Sequence, residues 1–165
     1  RAKAGYIVSI ASQGGRVIFP GLGAYSASKF AVESWAEQLA YETAMQGVTV
    51  SIVEPGGYPT RIMENSNTQS SSLKAREPAE RVAAYPALAA QMGQSSSSSG
   101  AADPMDIPRA ICEMIASKPV DRPLRKMVSH TPSPQEPINT VAAEVQYKVL
   151  SNGPFAAAGK AVLKR

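Results

Sequence analysis

Val48-Thr-Val-Ser-Ile-Val53, closed by Glu54-Pro-Gly-Gly57, decides the fold of this chain. A run of β-branched and small residues that ends in Pro-Gly is the pattern of a strand buried on both faces. Gly47, just ahead of it, marks the end of a helix. Upstream, Ala24 to Gln46 contains neither Pro nor Gly and is full of good helix formers. Phe30, Trp35, Leu39, Tyr41 and Met45 spread its apolar residues over several faces, which predicts a helix covered on more than one side. Further upstream, Tyr6-Ile-Val-Ser-Ile-Ala11 repeats the buried-strand pattern, and Ser12 to Gly23 reads as a loop of small residues around Pro20. Strand, loop, helix, Gly and strand in this order form a βαβ unit, so the two strands are expected to run parallel.

Beyond Thr60 the pattern weakens. Arg61–Asn65 suggests a short helical piece, and Glu77–Met92 is Ala-rich and interrupted by Pro86. Gln94 and the run Ser95–Ser99 are of low complexity, and the composition predicts a mobile segment. Asp103-Pro104 opens a helix whose stripe is Ile107, Ala110, Ile111, Met114 and Ile115. Leu124–Ser129 reads as a third short strand, His130–Pro137 as a connection, and Ile138–Leu150 as a final helix. Eleven of the thirteen prolines lie at or beyond Pro59, which predicts a loop-heavy second half. Residues 61–102 are expected to form a mobile region, and 130–165 a C-terminal extension of a single domain.

Composition narrows the classes of function. With 44% hydrophobic residues and no apolar run of membrane-spanning length, the chain reads as a water-soluble, cytoplasmic domain of 165 residues. It starts at Arg1, almost at a strand and without a leader pattern, as if in the middle of a fold. The one cysteine, Cys112, excludes an internal disulfide, and its apolar helical setting predicts a buried, inert thiol. A single histidine, His130, cannot support a multi-histidine metal site. The formal charge of +4 is spread out rather than striped with aromatics, against nucleic-acid binding and compatible with an anionic cofactor.

Tyr25-Ser-Ala-Ser-Lys29 places a phenol and an ammonium four residues apart, on one face of the predicted helix. A free phenol loses its proton only near about pH 10. An ammonium about 4 Å away contributes on the order of 4 kcal/mol at an effective dielectric near 20, enough to bring a phenol into useful range. Ser12, at the end of the first strand, adds a hydroxyl that can hold a substrate oxygen. The three groups suit general acid–base catalysis on an alcohol/carbonyl pair, which requires a hydride carrier.

At these residues the chain resembles the short-chain dehydrogenase/reductase family. Ile-Ala-Ser12 with Gly14-Gly15 is similar to the strand end that carries that family's serine. Tyr25-Ser-Ala-Ser-Lys29-Phe-Ala-Val is similar to its Y-x-x-x-K helix, and Pro55-Gly56-Gly57-Tyr58-Pro59-Thr60 to its P-G-x-[VI]-x-T turn. The resemblance implies a Rossmann-like α/β fold and an oxidoreductase using NAD or NADP on an alcohol, ketone or aldehyde. By resemblance, Ser12 orients the substrate oxygen, Tyr25 is the acid/base, and Lys29 binds the nicotinamide ribose and supports Tyr25. Pro55, Gly56, Tyr58 and Thr60 hold the nicotinamide side, with Tyr58 standing where Val or Ile is usual. Thr60 also fits the cap of the piece that follows. Gln13, Phe19 and Leu22, in the loop between Ser12 and Tyr25, are candidates for substrate contact.

The family's Gly-rich turn, G-x-x-x-G-x-G, does not occur in these 165 residues. The chain is therefore expected to supply the last three strands of a seven-stranded parallel sheet. Its first strand would present an open edge, an aggregation hazard, and the chain alone would bind no dinucleotide. A homo-oligomer packed partly through the Tyr25 helix is expected of the full-length protein, with Trp35 and Tyr41 in the core or the subunit interface. Two other readings stay open: a non-catalytic binding or scaffold protein that keeps the fold, and a nucleotide-sugar epimerase or dehydratase, which shares Y-x-x-x-K.

Overall fold

A computed structural model describes residues 4–94 and 102–163. The Ser95–Ser99 run lies outside the described residues. The chain divides into two compact units, one made of residues 1–56 and 105–165 and the other of residues 57–104.

The first unit is built on three parallel strands in the order β1-β2-β3: β1 is Gly5–Ile10, β2 is Val48–Pro55 and β3 is Arg125–Val128. Gly5 stands opposite Val48 and Ile10 opposite Val53, while Ile52 and Pro55 stand opposite Arg125 and Val128. Helix α1 (Gly23–Ala44) joins β1 to β2, as parallel neighbours require. Gly47, at φ +77°, turns the chain out of it. Its buried face is Ser26, Glu33, Ala36 and Ala40, of which the serine and the two alanines let the helix lie close on the sheet. Val50 and Ile52 pack there with Ala11, Leu124 and Val162, and burying each large aliphatic contributes roughly 1.5–3 kcal/mol.

Helix α5 (Asp106–Ala116) precedes β3, and α6 (Glu136–Ser151) and α7 (Ala156–Leu163) follow it. α7 packs on both α1 and α6. A Cβ on Gly159 would stand 3.0 Å from the Leu150 side chain, so this glycine lets α6 and α7 approach. The second unit holds α2 (Arg61–Arg76), α3 (Ala79–Ala84) and α4 (Pro86–Gln91). Within it, Lys74 Nζ donates to the Ala89 carbonyl at 2.6 Å.

Several expectations are corrected. β2 is buried along its middle, but β1 is an edge strand with Ile7 and Ile10 exposed, so it is not buried on both faces. The second half is helical rather than loop-heavy, because several of its prolines sit where helices begin. Pro86 and Pro137 occupy first-turn positions, where the missing N–H costs no helical bond. The piece after Thr60 runs through Arg76, well past Asn65, and α7 was not foreseen. α5 starts at Asp106, after Asp103-Pro104. Its buried side is Ala110 and Met114, which turns Cys112 outward, so the thiol is exposed rather than buried. Trp35 lies off the small-residue face of α1 and is exposed, which removes it from the core, whereas Tyr41 packs against it.

Candidate active site

Where β1 ends, Ser12 turns the chain into a short 3-10 turn, Gln13–Gly15, and caps it: Gly14 N donates to Ser12 Oγ at 3.0 Å. Ala11 N donates to the Val53 carbonyl at 2.8 Å, which keeps the strand end in register with β2. Gly14 is where two site groups meet. A Cβ on it would stand 3.1 Å from Tyr25 Cε1 and 3.5 Å from Ser12 Oγ. An alanine there would touch both groups, and the phenol ring would have to give way slightly.

One turn along α1, Lys29 Nζ lies 5.9 Å from the centre of the Tyr25 ring. It donates to the Ile10 carbonyl at 3.2 Å. Because Ala11 N points to β2, the Ile10 carbonyl points off the open edge of β1, and Lys29 occupies it there. Tyr25 is 36% exposed, so its ring stands at the surface of the unit. The same helical face continues inward: a Cβ on Gly15 would lie 2.9 Å from the Lys29 carbonyl oxygen and 3.0 Å from Glu33 Cγ.

Ser12, Tyr25 and Lys29 are thus brought together by β1, the 3-10 turn and α1. Pro55 and Gly56 stand at the end of β2, where Gly56 N donates to the Val128 carbonyl at 2.9 Å. A Cβ on Gly56 would lie 2.5 Å from Ser129 Oγ, so this glycine serves the packing of β2 on the chain beyond β3. Tyr58 and Thr60 belong to the second unit. Tyr58 is buried, and Thr60 caps α2, its Oγ1 accepting from Ile62 N at 3.4 Å. Gln13 lies in the 3-10 turn, its carbonyl accepting from Arg16 N and Val17 N. Phe19 is half-buried, with Leu22 exposed at the position just before α1.

The model of the short chain dehydrogenase family matches residues 1–87. The chain belongs to the short chain dehydrogenase family. It is 46% identical over 74 residues to glycine betaine reductase ATRR of Emericella nidulans, a match covering 45% of this chain and 6% of that protein. It is 32% identical over 126 residues to oxidoreductase BOA17 of Botryotinia fuckeliana, covering 76% of this chain and 43% of the relative. A solved short-chain dehydrogenase from Streptomyces avermitilis superposes with a TM-score of 0.57 at 28% identity, covering 92% of this chain and 53% of that one. The chain thus spans about half or less of each of these family members. No helix among the described residues is long and apolar enough to cross a membrane.

Beneath the site lies a polar cluster that motif reading missed. Arg125, on β3, donates from Nε to Glu33 Oε2 at 2.9 Å and from a terminal nitrogen to Glu37, and its Nε lies 3.3 Å from Glu54 Oε1. Asn139, on α6, donates to both oxygens of Glu54 at 3.0 and 2.7 Å and accepts from Arg16 Nε at 2.7 Å. Tyr41 donates to Glu37. Burial, then the Glu54 charge, push the Glu33 carboxyl up to about 7 against the pull of Arg125. Burial also raises Glu54, opposed by the Asn139 hydrogen bond and Arg125. Burial lowers Arg125, but Glu37 and Glu33 outweigh it and hold the guanidinium above its ordinary value. Burial and the bond to Glu37 raise Tyr41. Two signals for the cluster stood in the sequence: Glu33 lies one turn beyond Lys29, and Glu54 interrupts an apolar strand just before Pro-Gly.

Proposed function

We propose that this chain carries the proton-handling side of a nicotinamide-dependent oxidoreductase that interconverts an alcohol and a ketone or aldehyde. The carrying observation is the convergence on Gly14: the Ser12 hydroxyl and the Tyr25 ring both border the space a Cβ there would fill, with the Lys29 ammonium beside the ring. Ser12 Oγ accepts from Gly14 N, which leaves its own O–H to donate to a substrate oxygen. Tyr25 exchanges the proton on that oxygen, and Lys29 adds positive charge next to the phenol.

The donor set fits NAD or NADP at its nicotinamide-ribose end. Of the three N–H bonds of Lys29, the Ile10 carbonyl takes one, so the ammonium retains donors for ribose hydroxyls. Pro55 and Gly56 at the β2 terminus, with Tyr58 and Thr60 after them, are assigned to the nicotinamide side on the strength of the family pattern. When bound, the nicotinamide supplies or takes the hydride. The substrate contacts are assigned to Gln13, Phe19 and Leu22, and the residues 61–102 to the substrate side. The exposed Trp35 on α1 supports self-association of the full-length protein through that helix.

The decisive experiment is Tyr25→Phe in an enzyme that joins this sequence to a Gly-rich dinucleotide-binding half. Turnover is expected to fall by a factor of about 10²–10⁴, the usual contribution of a positioned acid/base, while cofactor affinity persists. Turnover within a few-fold of the parent refutes the role given to Tyr25. The 165-residue chain alone, which has no G-x-x-x-G-x-G, is expected to show no calorimetric signal with NADH or NADPH. A micromolar affinity would overturn that part of the reading.

A further inference from the structure

The buried carboxylates under the site do no work in the reaction just described, yet they touch the turn that presents Ser12. Around Arg125 the count of charges is uneven. Three carboxyls (Glu33 and Glu37 on α1, Glu54 on β2) face two guanidinium groups, Arg125 from β3 and Arg16, just after the 3-10 turn, by way of Asn139 on α6. The phenol of Tyr41 is spent on Glu37. Glu33 and Glu54 are the most deeply buried of the three, with side chains 2% and 0% exposed, and both lean on the one Nε of Arg125.

Their oxygens are served unequally. Glu54 receives two contacts from Asn139, whereas Glu33 Oε1 is buried with no hydrogen-bond partner among the described residues. An ionised carboxylate only accepts, and a buried charged oxygen without a donor is costly. A neutral acid removes the charge from that position and so lowers the cost of leaving it unpaired. One proton also balances the cluster, leaving two negative charges against two positive.

The turn is pinned to this pair from both sides. Gly15 is pressed so close to Glu33 Cγ and the Lys29 carbonyl that a Cβ would stand 3.0 and 2.9 Å from them. The next residue, Arg16, reaches Glu54 through Asn139. Ser12 is tied to the same turn by Gly14 N. We propose that Glu33 is a positioning residue: held as a neutral acid beside the ionised Glu54, it fixes the Gly14–Gly15 turn, and through it the Ser12 hydroxyl, against α1. Ionising Glu33 places a second negative charge beside Glu54, and the turn then separates from the helix. Ser12 matters only on the reading given under the proposed function, but the proton and the turn are observable without turnover, so either can fail alone.

The test uses this chain with ¹³C-labelled glutamate carboxyls and ¹⁵N-labelled glycine, titrated by NMR from pH 5 to pH 9. One carboxyl is expected to carry the neutral-acid signature at pH 6 and to lose it with a midpoint of about 7. The Gly14 and Gly15 amides are expected to move with the same midpoint. In Glu33→Gln, which keeps a neutral side chain of the same shape, both amides are expected to stay at their low-pH positions throughout. In Glu54→Gln the neighbouring charge is gone, so the Glu33 midpoint is expected to fall below that of the parent. The proposal is overturned if no glutamate is neutral at pH 6 in the parent chain. It is also overturned if the glycine amides of Glu33→Gln titrate like the parent's, or if Glu54→Gln leaves the midpoint unchanged. Should Glu33→Gln fail to fold, the parent and Glu54→Gln decide.

Discussion

Replacing Gly15 by alanine tests the contact that joins the turn after β1 to α1. The new Cβ would stand 2.9 Å from the Lys29 carbonyl oxygen, 3.1 Å from its carbonyl carbon and 3.0 Å from Glu33 Cγ. Two of these atoms are helix backbone and cannot rotate away. To reach ordinary contact the turn must back off by about half an ångström, and overpacking of this kind costs roughly 1–3 kcal/mol. Gly14→Ala is the matched control. Its Cβ meets the edge of the Tyr25 ring at 3.1 Å, and that ring is partly exposed and free to swing. Neither glycine has a positive φ among the described residues, so each alanine gains about 0.4–1 kcal/mol by stiffening the unfolded chain. The net expectation is a loss of roughly 1–2 kcal/mol for Gly15→Ala and a change near zero for Gly14→Ala. Urea unfolding followed by circular dichroism gives both values. Tyr25 ring resonances are expected to shift most in Gly14→Ala, although it is the more stable variant. Equal stability of the two variants would refute the assignment of the tight contact to Gly15 and α1.

Glu33 also predicts how stability varies with pH. Its carboxyl is raised in the fold from an ordinary 4.5 to about 7, so the fold holds the proton more tightly than the unfolded chain does. The associated stability is complete below about pH 4.5 and is lost as pH rises through about 7, a change of about 3 kcal/mol. Unfolding free energies at pH 5 and pH 8 are expected to differ more in the parent than in Glu33→Gln; identical pH dependences would remove Glu33 as the source. Cys112, exposed on α5, is expected to react with a maleimide in the folded chain at a rate close to that in urea. Protection by folding would show that the thiol is covered.

What the sequence made legible follows from the range over which each signal acts. The βαβ order was readable because Gly47, the Pro55-Gly56 turn and the two β-branched runs each work within a few residues. The pairing of Tyr25 with Lys29 was readable for the same reason, since one helical turn puts them on one face. Burial was less so. Tyr6–Ala11 and Val48–Val53 carry nearly the same pattern, yet β1 is an edge and β2 a centre, because that difference depends on what lies beside a strand and not on its own residues. The prolines misled for a related reason: in the second half several open helices, where a proline is at home, and composition does not distinguish an opening from a break. Least legible was the Arg125 cluster, whose members come from α1, β2, β3, α6 and the 3-10 turn, as much as 123 residues apart. In a motif search each of them is an unremarkable charged or amide residue. Only the fold gathers them, and it does so beside the turn that Ser12 caps. On the proposed reading, that placement would tie together two properties a sequence reading treats separately: the reach of Ser12 toward a substrate oxygen, and the protonation of an acid that no substrate touches.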